Sequence, residues 1–291
     1  MADKKQSEFD KEEHTLRVRS WSELQDVLFE DSWNQKIRRH RSKHVFRGHG
    51  RSEFELASGL VRLGQGYHEL EKHLLRNFKK YADSSIRQQG SIPDSFTPIN
   101  FWHWMSLAQH HGLPTRLVDW TYSPLVAMHF ACSEQSNMDA DGAIWKVDFD
   151  QTHELLPHSL RSILAEQGAH VFTDEMLSSQ IQDLDQLCDS SPDQNSQVLF
   201  FEPPSLSTRI VNQFACFSVQ IGECRSMTDW LSHQPKLGIK IVIPSDLKWE
   251  IRDKLDQSNI SERVLFPGLD GLCTWLSRQY ISSPKHGLDG I

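Results

Sequence analysis

The stretch "AQHHGLPTRLVDWTYSPLVAMHFAC", residues 108–132, changes backbone habit twice in 25 residues. Ala108 to His111 continue a helical pattern that has to stop near Gly112, because glycine suits the end of a helix and Pro114 cannot continue one. "RLVDW" then reads as extended chain. Pro124 sits where proline belongs in a first helical turn, with Thr121 or Ser123 as its cap, and "LVAMHFACSE" continues that second helix. A strand between two helices over so short a span points to mixed α and β structure. His110 and His111 project about 100° apart on a helix and so cannot form a two-ligand metal face. On an extended segment Arg116 and Asp119, three residues apart, face opposite sides. Asp119 therefore looks elsewhere for a cation, to Arg47 or Arg62.

Outward from this stretch the same alternation recurs. Residues 1–14 read as a solvated polar tail. "LRVRSWSELQDVLFED" reads as a short strand and a helix, with Ser20 and Glu23 at capping-box spacing. A basic patch, "KIRRHRSKH" (36–44), precedes "HVFRGHG" (44–50), a strand ending at glycines. Residues 67–83 place Leu70, Leu74, Phe78 and Tyr81 at helical spacing, residues 88–95 read as a loop, and 99–111 as a helix. "GAIWKVDF" (142–149) alternates as a strand does. Between 151 and 199 only helical fragments and a loop-like polar run, 189–197, stand out. Residues 207–221 read as one long strand, or two with a bend at Ala215, and 238–244 as another. Two helices follow, and 283–291 read as a tail. No period of 20–50 residues repeats. The expected architecture is α+β, with a mixed or antiparallel central sheet flanked by helices in one domain over 15–282.

Composition narrows the function. The chain has 291 residues and a formal net charge of −8, which argues against broad nucleic-acid binding through phosphate neutralisation. Its five cysteines are irregularly spaced without a CxxC pair, so neither a zinc ribbon nor a redox dithiol is indicated and no metal is expected. Such cysteines fit a reducing, cytoplasmic setting. The charged N-terminus lacks an export signal and no apolar run is long enough to span a bilayer. P-loop, dinucleotide-fold, nucleophile-elbow and zincin motifs are all absent.

Several segments together are similar to the FRG-domain family, found in bacterial and phage proteins and named for the triplet present here as Phe46-Arg47-Gly48. "FELASGLVRL" resembles a family segment. The opening stretch matches the family pattern at Ala108 to His110, Gly112 to Leu117, Asp119 to Thr121, Ser123 to Leu125, Ala127, Phe130 and Ala131. "GAIWKVD" and "FEPPSLSTRIVNQFACFSV" continue the match, with Arg209 and Gln213 in place and Ala215 where glycine is usual. The resemblance covers roughly 15–282.

The order of parts is also similar in layout to mono-ADP-ribosyltransferases. That likeness implies NAD as the bound nucleotide, with Arg47 on its phosphates beside Gly48, and Thr121 and Ser123 lining the pocket. Trp120 would stack on a ring, and Gln213 would occupy the strand on which those enzymes carry a glutamate. Glu202 is expected to lie outside the strand. His110 could make an acid–base pair with His49 or Asp119. Alternatively, Gln109 and His110 satisfy backbone groups freed at the Gly112–Pro114 break, Trp120 is core, and Arg47 ties two loops together. Three readings remain open: an enzyme of NAD-dependent ADP-ribosyl transfer to a macromolecular target the sequence does not name, or of NAD hydrolysis, with Arg47 and residues 109–123 forming the pocket; a non-catalytic module binding nucleotide, nucleic acid or protein, with the 36–44 patch serving an open basic cleft; or a purely structural motif with the chemistry elsewhere in the chain.

Overall fold

A computed structural model describes residues 8–10, 14–64, 67–89, 98–190, 196–205 and 207–281. The chain begins with β1 (Glu8–Asp10), β2 (Thr15–Arg17) and α1 (Trp21–Phe29), then a small ribbon of β3 (Trp33–Asn34) and β4 (Arg39–His40). β5 (His44–His49), α2 (Gly59–Arg62), α3 (Tyr67–Gln89) and α4 (Phe101–His110) follow. Next come β6 (Val118–Thr121), α5 (Pro124–Cys132), β7 (Gly142–Asp148), α6 (Phe149–Glu154), α7 (His158–Gln167), β8 (Phe172–Thr173), α8 (Asp174–Ser178) and α9 (Leu184–Asp189). The last part holds β9 (Gln197–Glu202), α10 (Thr208–Asn212), β10 (Ala215–Ile221), α11 (Met227–Ser232), β11 (Gly238–Ile243), α12 (Lys248–Gln257), α13 (Glu262–Leu265) and α14 (Leu269–Gln279).

Among the described residues, nine strands form one sheet in the order β1-β2-β11-β7-β5-β6-β10-β9-β8. β2 with β11 and β8 with β9 are parallel, and the other neighbours are antiparallel. The fold is therefore α+β with a mixed sheet flanked by helices.

Strand alternation sets the layers. Val45, Val118, Trp120, Trp145, Val147, Phe200 and Cys216 share one face and pack with Met227 and Leu231 of α11. On the other face, Phe46, Ile144 and Ile241 pack under α1, α5 and α12. Leu199, Phe201, Phe217 and Val219 pack there under α4, α7, α8 and α9. That second face thus carries two separate helical groups.

The two groups part where the sheet itself is weakest. β5 pairs with β7 along its whole length, His44 to His49. Its only pairing with β6 is Phe46 with Thr121, while β6 pairs with β10 from Val118 to Thr121. Beyond Phe46 the two strands diverge and leave backbone groups without ladder partners.

Local signals explain several boundaries. Ser20 caps α1 by accepting from the Glu23 backbone N–H, while the Glu23 carboxylate accepts from the Arg19 N–H. Gly112 takes φ +82, a conformation open to glycine, and ends the α4 turn. Ser123 caps α5 with Pro124 in its first turn.

Other expectations are corrected. Residues 8–10, read as tail, form β1 because β2 offers them an antiparallel edge. The rest of the 1–14 stretch up to residue 13, and the 283–291 tail, lie outside the described residues. α3 runs to Gln89, past the expected end at 83, and residues 90–95 of the expected loop lie outside the described residues. Its inward face centres on Glu71 and Leu75, while Tyr81 is exposed. The 207–221 strand opens instead as a helix, because the Ser207 side chain accepts from the Ile210 N–H. The bend falls at Phe214, φ +48, rather than at Ala215. Of the loop-like 189–197 stretch, residues 191–195 lie outside the described residues.

Candidate functional site

The divergence of β5 from β6 opens a cleft of about 590 Å³ on the face where α4 and α5 separate. Phe46, Thr121 and Phe217 contribute to its lining from the strands, Gln109 to Gly112 from the end of α4, Phe130 from α5, and Arg209 and Gln213 from α10 and its following turn. The Gly112–Pro114 break matters because it ends α4 at the rim and leaves Gln109 and His110 beside the gap in the sheet.

Arg47 bridges that gap. Its Nη1 donates to the Asp119 backbone carbonyl at 2.6 Å and lies 3.5 Å from the Asp119 carboxylate. Its Nε donates to His49 Nε2 at 3.2 Å. Nη2 has no partner among the described residues, and the side chain keeps 21% of its exposure. Burial pulls the Arg47 pKa below its ordinary value, opposed by Asp119 and reinforced by Arg62. A guanidinium stays cationic through such a shift.

Gln109 extends the contact into a relay. Its Nε2 donates to the Asp119 carboxylate at 2.8 Å, and its Oε1 accepts from the Thr115 hydroxyl at 2.6 Å. The Thr115 hydroxyl oxygen also accepts from the Leu117 N–H. Asp119, the one carboxylate lining the cleft among the described residues, is thus aimed by both an arginine and an amide, yet its side chain remains 53% exposed.

His110 lies 3.3 Å from the Ser207 hydroxyl through its Nε2. Burial, with His111 and Arg209 adding to it and Asp119 opposing, pushes its pKa down to about 4, so the imidazole is neutral at pH 7. Burial and Arg47 push His49 down to about 3. His49 is held by Arg47 and does not line the cleft, so the expected His110–His49 pair does not form. No hydrogen bond joins His110 to Asp119 among the described residues.

Arg47, Gln109, His110, Asp119, Thr121 and Gln213 all line this one cleft. Several expected roles change. Gly48 lends only backbone: an added Cβ would press on the Ala127 carbonyl and lie 2.6 Å from the Ala131 N, so the glycine admits α5 rather than a ligand. Trp120 points to the opposite face of the sheet, 3% exposed, where its indole N–H donates to the Ser218 hydroxyl; it is core and cannot stack on a ligand. The Thr121 hydroxyl donates to the Gln213 carbonyl at 2.7 Å and accepts from the Ser123 N–H.

Ser123 faces a second cavity with Tyr122, Phe214 and Glu202, so the N-terminus of α5 opens away from Arg47. Gln213 caps α10 instead of lying in a strand, and its amide donates to the Leu265 carbonyl at 3.0 Å. Glu202 is the last residue of β9, not outside it, and accepts from the Tyr122 hydroxyl in that second cavity. Arg41 and Ser42 of the basic patch also line the second cavity, and no residue of 36–44 lines the cleft.

Sequence reasoning missed Arg209 as a lining residue. Its segment looked like strand, and only the Ser207 cap signalled a helix that would turn this side chain inward. It also missed the ion pair that holds the approach to β6: Arg116 with Glu71, Nη2 to Oε2 2.7 Å, both almost fully buried. Among the described residues no group of three or more His, Cys, Asp or Glu is arranged to hold a metal ion, and no helix is long and apolar enough to cross a membrane.

Residues 42–140 match the family model described as the FRG domain. The matched span contains Arg47, Gln109, His110 and Asp119 but neither Arg209 nor Gln213. No curated protein and no solved structure matches the chain.

Proposed function

For this chain, an FRG-domain protein, we propose a nucleotide-binding role for the cleft, with NAD as the substrate and cleavage of its nicotinamide–ribose bond as the reaction. The carrying observation is Arg47: a guanidinium fixed by a carbonyl and an imidazole, whose Nη2 has no partner among the described residues, in a residue that lines a cleft of about 590 Å³. A planar donor so fixed suits a phosphate oxygen, and the volume falls in the range of small-molecule sites.

In that reaction the C1′–N bond breaks and nicotinamide leaves with the electron pair. Water or a nucleophilic group on a target then bonds to C1′ and gives up its proton. The chain's own contribution is electrostatic. Asp119, aimed by Gln109 and Arg47, supplies negative charge for a cationic ribose centre. It is also the base for the departing proton. Gln213 can offer only its amide, and that amide is already given to Leu265. His110, neutral at pH 7, serves as a hydrogen-bonding group.

A second reading, nucleotide binding without turnover, is favoured by Asp119 being the single lining carboxylate among the described residues and already engaged on one oxygen. One experiment separates the two. Wild-type protein and its Asp119→Asn and Arg47→Ala variants are incubated with NAD labelled in the adenylate, with and without lysate. Nicotinamide release that is lost in both variants supports the enzyme. NAD binding with no release under any condition supports the module. If wild type shows no binding and no release, both readings fall.

A further inference from the structure

Arg209 lines the same cleft as Arg47, yet it makes no ion pair and no side-chain hydrogen bond with any described residue. It is nevertheless held. Its guanidinium carbon sits 4.9 Å from the centroid of the Phe266 ring. Phe266 is in turn placed by Phe130, whose ring meets it edge-on at 6.1 Å. The elements carrying the pair are clamped together: Asn212 Nδ2 donates to the Val264 carbonyl at 2.7 Å, and Gln213 Nε2 donates to the Leu265 carbonyl at 3.0 Å. A long flexible cation loses rotamer freedom when laid on a ring. Here a cation–π contact compensates it, and five N–H donors stay available.

The charge balance around it is one-sided. The chain carries a net −8, but among the described residues this cleft is lined by two guanidiniums and a single carboxylate. That carboxylate already accepts from Gln109 and faces Arg47. His110 feels both ends of the arrangement, Arg209 lowering its pKa and Asp119 raising it. Two cations share a semi-enclosed space with too little negative charge to neutralise them, which raises the potential for an anion there.

We propose that Arg209, laid on Phe266, is a second anion-binding residue of the cleft, and that the ligand carries two negatively charged groups, as the diphosphate of a nucleoside diphosphate or dinucleotide does. The assignment rests on the nucleotide reading of the cleft. Arg47 takes one group through Nη2 and Arg209 takes the other. Phe266 is a positioning residue: it touches no ligand, and it fixes the plane in which Arg209 presents its donors. The 265–272 segment, which carries Phe266, thereby becomes the backing of the cleft wall.

The test is calorimetric titration of the full chain with ADP and with AMP. Wild type should prefer ADP by about ten- to hundred-fold, the range for one added charge-assisted contact. Arg209→Gln should bring the ADP affinity close to that of AMP. Phe266→Leu should shrink the preference by roughly two- to tenfold, and Phe266→Trp, which keeps an aromatic face, should retain it. A thermal midpoint for each variant checks that it is folded.

If Arg209→Gln keeps the wild-type preference while Arg47→Lys weakens both nucleotides, the assignment of Arg209 is wrong and the nucleotide reading stands. If Phe266→Leu matches wild type, Phe266 does not position Arg209. If wild type binds neither nucleotide, both the assignment and the reading beneath it fall.

Discussion

Arg47 Nη1 donates to the Asp119 backbone carbonyl at 2.6 Å, across the gap left where β5 and β6 share only one paired position. A side chain stands in for a missing sheet hydrogen bond. Replacing it by Met leaves that carbonyl without its donor and should destabilise the protein by about 1–3 kcal/mol. Urea unfolding of Arg47→Met measures this, and an unchanged midpoint would mean that water satisfies the carbonyl equally well.

The buried pair Arg116–Glu71 should matter more for stability than any surface pair. Arg116 Nε and Nη2 both meet Glu71 Oε2, at 2.8 and 2.7 Å, and the Arg116 N–H lies 3.3 Å from Oε1. Glu71→Ala strands a buried guanidinium and should cost about 3–5 kcal/mol. The double variant Glu71→Ala with Arg116→Met removes the stranded charge and should recover part of that loss. A double-mutant cycle by chemical denaturation reads both, and additive losses would contradict the coupling.

Gly48→Ala tests how closely α5 must approach β5. The new methyl would meet the Ala127 carbonyl and the Ala131 N of that helix, which are backbone atoms and cannot rotate aside. The expected loss is about 3 kcal/mol or more, at or beyond the upper end of ordinary overpacking. A thermal midpoint within about 2 °C of wild type would show that the helix can slide, since 1 kcal/mol moves Tm by a few degrees.

Acid should unfold this protein early. Burial holds His44, His110 and His153 near 4, and His49 and His129 near 3, against an ordinary 6.5. These imidazoles are neutral in the folded state, so below pH 6.5 the unfolded chain binds protons that the folded chain refuses. Stability is fully present above 6.5 and falls as pH drops through the interval toward 4 and then 3. Asp141, Asp150 and Glu262, held below their ordinary values by cationic partners despite burial, act in the same direction at lower pH. Midpoints measured from pH 8 to pH 5 should decline from about 6.5 downward, and a flat profile would mean that the histidines are not neutral in the fold.

The parts of this fold that local chemistry governs were readable in advance. Ser20 with Glu23, Gly112 with Pro114, and Ser123 with Pro124 each announced a boundary through the residue that makes it, and the alternation of 142–149 announced β7. What failed depended on distant partners. Glu71 looks like a solvent-facing acid until Arg116, 45 positions away, is brought against it. Trp120 reads either as core or as a stacking surface until the sheet's other face claims it. "TRIVN" has strand-like composition, and one serine hydroxyl turns it into α10. Arg209 and Phe266 carry no motif of their own, because their meaning lies in being 4.9 Å apart. The six lining residues Arg47, Gln109, His110, Asp119, Thr121 and Gln213 could be named from the chain, whereas the turn of the Trp120 indole to the other face and the opening of Ser123 onto a second cavity required the strand register.

Arg47 is proposed to anchor a nucleotide in the cleft between α4 and α5, and titration of NAD into wild type and into Arg47→Lys tests this directly. Lysine can still reach a carbonyl and support the fold, but its donors all sit on one nitrogen, so it lacks the second, rigidly placed nitrogen that Nη2 supplies. Wild type should show saturable binding at one site per chain, weakened by about tenfold or more in Arg47→Lys at a similar thermal midpoint. Equal binding by the two proteins, or no binding by wild type, would refute the anchoring role of Arg47.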